Sequence, residues 1–154
     1  MNAETDPRNV VDLMARNEEA VAHLYEAYAQ SFPECADFWS DLAVDELTHA
    51  EWLRSLAGRA EDAAVYINED RFKKEAISAF GEYLRDQLAR VQSQRLPLIT
   101  ALSVARDVER ALIERRFFEV FESDSVEMKH LLHRLAESVE EHLRKVEQRW
   151  IEHR

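Results

Sequence analysis

Residues 38–56 read Phe-Trp-Ser-Asp-Leu-Ala-Val-Asp-Glu-Leu-Thr-His-Ala-Glu-Trp-Leu-Arg-Ser-Leu, a run whose apolar residues recur at helical intervals. Glu46 and His49 stand three residues apart, so on a helix both project from one face and can hold one cation. The stripe Trp39, Leu42, Glu46, His49, Leu53, Leu56 sets these two polar groups in the middle of an apolar face. A carboxylate buried there needs a partner. An acidic chain with six His produces about one Glu-x-x-His by chance. The pair therefore gains meaning only if other helices answer it.

The rest of the composition is that of a helical protein. The 154 residues suit a single domain, 1–154, with only two Gly and three Pro and 33% charged residues. A net charge of -11 argues against nucleic acid or an anionic membrane surface as partner and suits cation capture or a solvated acidic surface. Cys35 is the single cysteine, which excludes a disulfide framework and a Cys-x-x-Cys metal module. No signal peptide or long apolar run is read, so a cytoplasmic location is the expectation.

Outward from residues 38–56, Val11, Met14, Val21, Tyr25, Tyr28 and Phe32 predict a helix from Asn9 to Phe32, with Glu18 on the same stripe and Glu19 to one side. Residues 1 to 8 read as a lead-in, and Pro33 closes the first helix. The second helix is expected from Ala36 to Leu56, stopped by Gly58. Residues 59–96 form a long connection, loop-like and then helical from Asp70 to Gln92, with Gly81 marking a bend. Pro97 opens a third main helix, Leu98 to Glu122, and Ser123-Asp124-Ser125 reads as turn and N-cap. The last helix runs from Val126 to near the C-terminus. Two helical hairpins joined by a long crossover that carries an additional helix have the connectivity of an all-α, ferritin-like four-helix bundle.

The other helices do answer. Glu109 interrupts the stripe Leu102, Ala105, Leu112, Val120 on helix three, and His142 interrupts Met128, Leu132, Leu135, Val139, Val146, Trp150 on helix four. Glu18 lies fifteen residues before the first turn at Pro33, with Glu46 and His49 thirteen and sixteen after it. Glu109 lies fifteen before the second turn at Asp124, and His142 eighteen after it. At about 1.5 Å rise per residue these groups reach one level of a bundle. A second Glu-x-x-His, Glu127 and His130, falls on the polar stripe Ser123, Arg134, Glu137, Glu141 and is assigned to the surface.

On these residues the chain resembles the ferritin-like diiron carboxylate proteins, and rubrerythrin-like domains most closely, from about Asn9 to Trp150. The resemblance implies two metal ions held by Glu18, Glu46, His49, Glu109 and His142. It also implies a role beside the metals for Tyr25, seven residues after Glu18, as a hydrogen-bonding group or one-electron donor. Where the family pattern asks for a fourth Glu, three residues before His142, this chain has Val139, and the preceding Ser138 is no substitute. Arg116 stands seven residues after Glu109, where a matching aromatic is expected, and the rubredoxin-type cysteine module is missing.

Three carboxylates against two divalent ions leave one positive charge to be met by hydroxide, a bound anion or Glu141. Otherwise one ion binds tightly, in the half built with Glu46 and His49. Without metal the carboxylates need protons, water, or arginines such as Arg106 and Arg116. The resemblance implies iron, with manganese or zinc also suited to these ligands, and oxidation by peroxide or dioxygen with electrons from an external donor. The alternatives are a metal-binding or iron-handling protein with little turnover and a non-enzymatic helical interaction protein. His23, His133 and His153 are expected in solvent, Cys35 as an incidental thiol, and Trp39, Trp52 and Trp150 as core or dimer-contact aromatics. A homodimer through the first two helices is the expected assembly.

Overall fold

The computed structural model describes residues 7–58, 65–67, 74–114, 121–123 and 126–154. Its five helices are α1 (Pro7–Ser31), α2 (Ala36–Gly58), α3 (Lys74–Ser93), α4 (Leu98–Glu114) and α5 (Val126–His153). A 3-10 turn, Pro33–Cys35, joins α1 to α2. Phe32 leaves helical geometry before Pro33, at φ -126° and ψ 73°, while its amide still donates to the Tyr28 carbonyl at 2.9 Å. The chain therefore reverses in three residues and lets α1 and α2 pack along their length.

Helices α4 and α5 pack on each other, and α3 lies on α1. Trp39, Tyr25, Tyr28, Leu24, Leu42, Leu53, Leu84, Leu102 and Leu135 are fully buried, so all five helices supply one core. Each such side chain stabilises the fold by about 1.5–3 kcal/mol relative to exposure. The core is aromatic towards the α1–α2 turn. There Trp39 packs 5.5 Å from Tyr25 and 4.9 Å from Tyr28, centroid to centroid.

Helix α3 runs unbroken through Gly81. The Gly81 hydrogen fills a different need: a Cβ there would lie 2.7 Å from Asn17 Oδ1 on α1. Buried Asn17 donates Nδ2–H to the Ile77 carbonyl at 2.9 Å, so the missing side chain lets α3 sit close enough to be tied to α1.

The third expected helix is overturned at its end. Phe121–Ser123 is a strand, β2, not helix, and pairs antiparallel with β1 (Val65–Ile67), whose residues were read as loop. The pairing joins segments far apart in sequence, which a local helical period cannot register. Val120, Arg116 and the expected turn residues Asp124 and Ser125 lie outside the described residues, as do 1–6 and 70–73. Among the described residues no helix is long and apolar enough to cross a membrane.

Candidate metal centre

The apolar stripes of four helices carry their polar interruptions to one level. Glu18 on α1, Glu46 and His49 on α2, Glu109 on α4 and His142 on α5 are each at most 3% exposed. They form two overlapping groups, Glu18, Glu46, His49 and Glu46, Glu109, His142. In each group the candidate ligand atoms all lie within 4.8 Å of one another. Glu46 belongs to both. The group that contains His142 thus has two carboxylates, Glu46 and Glu109, although position 139 is Val.

Both imidazoles point the same ring nitrogen inward. His142 Nδ1 is 2.8 Å from Glu46 Oε1 and 3.6 Å from Glu109 Oε1. His49 Nδ1 is 3.3 Å from Glu46 Oε2 and 3.7 Å from Glu18 Oε2. The two rings stack at 5.4 Å. Outward, His142 Nε2 lies 2.9 Å from Asp45 Oδ2 and His49 Nε2 lies 2.7 Å from Ser138 Oγ. An acceptor on Nε2 leaves the Nδ1 lone pair free for a cation, the arrangement that metal-binding imidazoles adopt.

Tyr25 is buried and donates its hydroxyl to Glu109 Oε1 at 2.8 Å, which joins α1 to α4 across the centre. Burial pushes the Tyr25 hydroxyl well above its ordinary pKa, and the charges of Glu109 and Glu46 push the same way. It stays protonated and remains a donor.

Five ionisable groups at this depth need counter-charge. Burial and the neighbouring Glu46 charge raise Glu18 well above the usual carboxyl range and raise Glu109 to about 7. Burial also opposes the Glu46 carboxylate, but contacts with Glu18, His142 and His49 outweigh it and hold Glu46 well below that range. Burial disfavours both imidazolium ions, yet hydrogen bonds to the carboxylates carry His49 to about 10 and His142 to about 11. Protons thus stand where cations would neutralise the cluster.

The protons do not satisfy it. Glu18 Oε2 and Glu109 Oε2 are buried with no hydrogen-bond partner, one orphaned oxygen in each group. Among the described residues the charged partners of these carboxylates are His49 and His142. Arg106 instead stacks on Trp150, 4.1 Å from the ring centroid, and Glu141 pairs with Lys145 at the surface. Carboxylate and imidazole donors with unfilled lone pairs fit divalent iron, manganese or zinc.

No protein-family model, curated protein or solved structure matches this chain.

The structure brings together all five residues expected as ligands, with Tyr25 beside them. It leaves Glu127 and His130 exposed, along with His23, His133 and His153. Trp39 is core, whereas Trp52 and Trp150 are only half-buried; Trp52 lies 5.8 Å from the His49 ring. Sequence reasoning missed Asp45 and Ser138, which hold the two histidines. A signal was present: each stands four residues before one His and bonds the other.

Proposed function

We propose that this chain is a ferritin-like metalloprotein that binds two divalent ions in its buried cluster and acts, when loaded with iron, as a rubrerythrin-like oxidoreductase on peroxide or dioxygen. The observation that carries the reading is the pair of overlapping three-residue groups with Glu46 in common. Each has an oxygen that no hydrogen bond satisfies. A scaffold gains nothing from burying three carboxylates and two imidazoles whose mutual hydrogen bonding is incomplete, because each unsatisfied group costs about 1–3 kcal/mol.

In this reading Glu18 and His49 hold one ion, Glu109 and His142 hold the other, and Glu46 is shared. Bound iron supplies the one-electron steps that peroxide or dioxygen reduction needs, with an external donor returning the electrons. Asp45 and Ser138 orient the imidazoles, and Tyr25 orients Glu109 and keeps a proton at the edge of the site. The surrounding apolar stripes exclude bulk water and strengthen every charge interaction inside.

A second reading has its own observation. Val139 is buried where a fourth carboxylate would complete the family pattern, so metal binding without efficient turnover is the alternative. Elemental analysis of protein expressed with iron supplied, followed by peroxide consumption with a reductant, separates the outcomes. Iron that turns over supports the oxidoreductase, and bound but inert metal supports the alternative. No bound metal leaves a helical interaction protein. Exposed Val44 and Leu47 on α2 support pairing of two copies through that helix, which light scattering in solution tests.

A further inference from the structure

We infer that the two ion positions are unequal, and that the position formed by Glu46, Glu109 and His142 fills first and holds its ion more tightly. This rests on the two-ion reading above and adds an order to it.

Glu46 serves both positions and cannot discriminate between them. The difference lies one bond further out. A metal-binding imidazole gives its second N–H to an acceptor that sets its orientation and basicity. For His142 that acceptor is a carboxylate oxygen, Asp45 Oδ2 at 2.9 Å; for His49 it is a hydroxyl, Ser138 Oγ at 2.7 Å. The two pairs are crossed counterparts. Asp45 stands four residues before His49 and serves His142, while Ser138 stands four before His142 and serves His49. The turn of α5 that lacks the fourth carboxylate, at Val139, thus also lacks the charged partner, at Ser138.

A carboxylate acceptor draws the shared proton outward more strongly than a neutral hydroxyl and makes the inner nitrogen the better donor. Asp45 is 47% exposed, so solvent screens part of its charge but leaves the directional hydrogen bond. The carboxylates differ in the same sense. Glu109 is held by the Tyr25 hydroxyl at 2.8 Å and keeps a second buried oxygen, Oε2, without a hydrogen-bond partner. Among the described residues Glu18 has no such hydroxyl donor from outside the cluster, and its Oε2 lies 3.7 Å from His49 Nδ1. An ion at the first position finds both of its unshared ligands already oriented. The second ion finds one neutral hydrogen bond on His49 and meets the charge of the first. One ion is therefore retained and the other exchanges.

The test is titration of Co2+ into the full metal-free chain, followed by absorption and calorimetry. The wild type should bind in two steps separated by ~10-fold or more, since losing an outer partner typically weakens metal binding ~10–100-fold. Glu18→Gln should keep the tight step and lose the weak one, whereas Glu109→Gln should lose the tight step. Asp45→Asn should weaken the tight step ~10–100-fold and Ser138→Asp should tighten the weak one. Asp45 and Ser138 are not buried, so both variants retain the helical signal that checks folding. Two equal steps, loss of the tight step in Glu18→Gln, or an unmoved tight step in Asp45→Asn would overturn the inference while leaving two-ion binding intact. No Co2+ uptake by the wild type would overturn the two-ion reading itself, and this inference with it.

Discussion

The Tyr25 hydroxyl donates to Glu109 Oε1 at 2.8 Å, and this bond ties α1 to α4 at the level of the buried Glu and His cluster. Tyr25→Phe leaves a buried carboxylate oxygen without its donor, at a cost of about 1–3 kcal/mol in stability. It should also weaken ion binding at the Glu109 position by about 10-fold, because the carboxylate loses its orientation. Calorimetric titration of the variant with Co2+ checks this; an unchanged affinity means that Tyr25 only packs.

Stability of the metal-free chain should fall as pH rises from about 5 to 10. Glu109 moves from its ordinary 4.5 to about 7, His49 from 6.5 to about 10, and His142 from 6.5 to about 11. Each binds its proton more tightly when folded, so its contribution is complete below the ordinary value and is lost as pH climbs through the raised one. Glu18 shifts in the same sense. Glu46, held low, works the other way and loses its contribution only on acidification below its ordinary 4.5. A bound divalent ion replaces these protons, so saturating ion should stabilise the fold more as pH rises, with protons released on binding. Melting curves at several pH values with and without Co2+ test the sign; parallel curves would contradict it.

Adding a fourth carboxylate should separate the metal-free and metal-bound states. Val139 is 1% exposed, and Val139→Glu buries a further acid among three others. The metal-free variant should lose about 3 kcal/mol or more. Excess divalent ion should recover most of that loss and bind more tightly than in the wild type. Equal destabilisation with and without ion would show that position 139 does not face the ions.

Gly81→Ala should destabilise the fold although alanine is the better helix former by about 1 kcal/mol. The added methyl would meet Asn17 Oδ1 at 2.7 Å and displace an amide that is buried and bonded to the Ile77 carbonyl. The expected net loss is about 1 kcal/mol in denaturant unfolding. A gain would show that α3 shifts freely on α1.

Much of this architecture is written in local pattern. The 3.6-residue period located all five helices within a few residues at the described ends, except where α4 was carried into Phe121–Ser123. Counting from Pro33 brought Glu18, Glu46 and His49 to one level because the Pro33–Cys35 turn is short and both helices run unbroken past these residues, so that rise per residue measures height. The strand pairing of Val65–Ile67 was illegible, since neither three-residue segment carries a pattern without its partner. That Glu46 stands in both groups was also hidden: spacing places a carboxylate on a face but does not say that its two oxygens face different imidazoles. Asp45 and Ser138 were overlooked because each acts across the bundle, on a histidine of another helix.

In the proposed centre Glu46 serves two ion positions at once. The most direct measurement is the number of divalent ions bound per chain at saturating free ion, by equilibrium dialysis and elemental analysis, in the wild type, Glu18→Gln, Glu109→Gln and Glu46→Gln. Two ions in the wild type, one in each of the first two variants and almost none in Glu46→Gln is the expected result. Full metal content in folded Glu46→Gln would contradict the account.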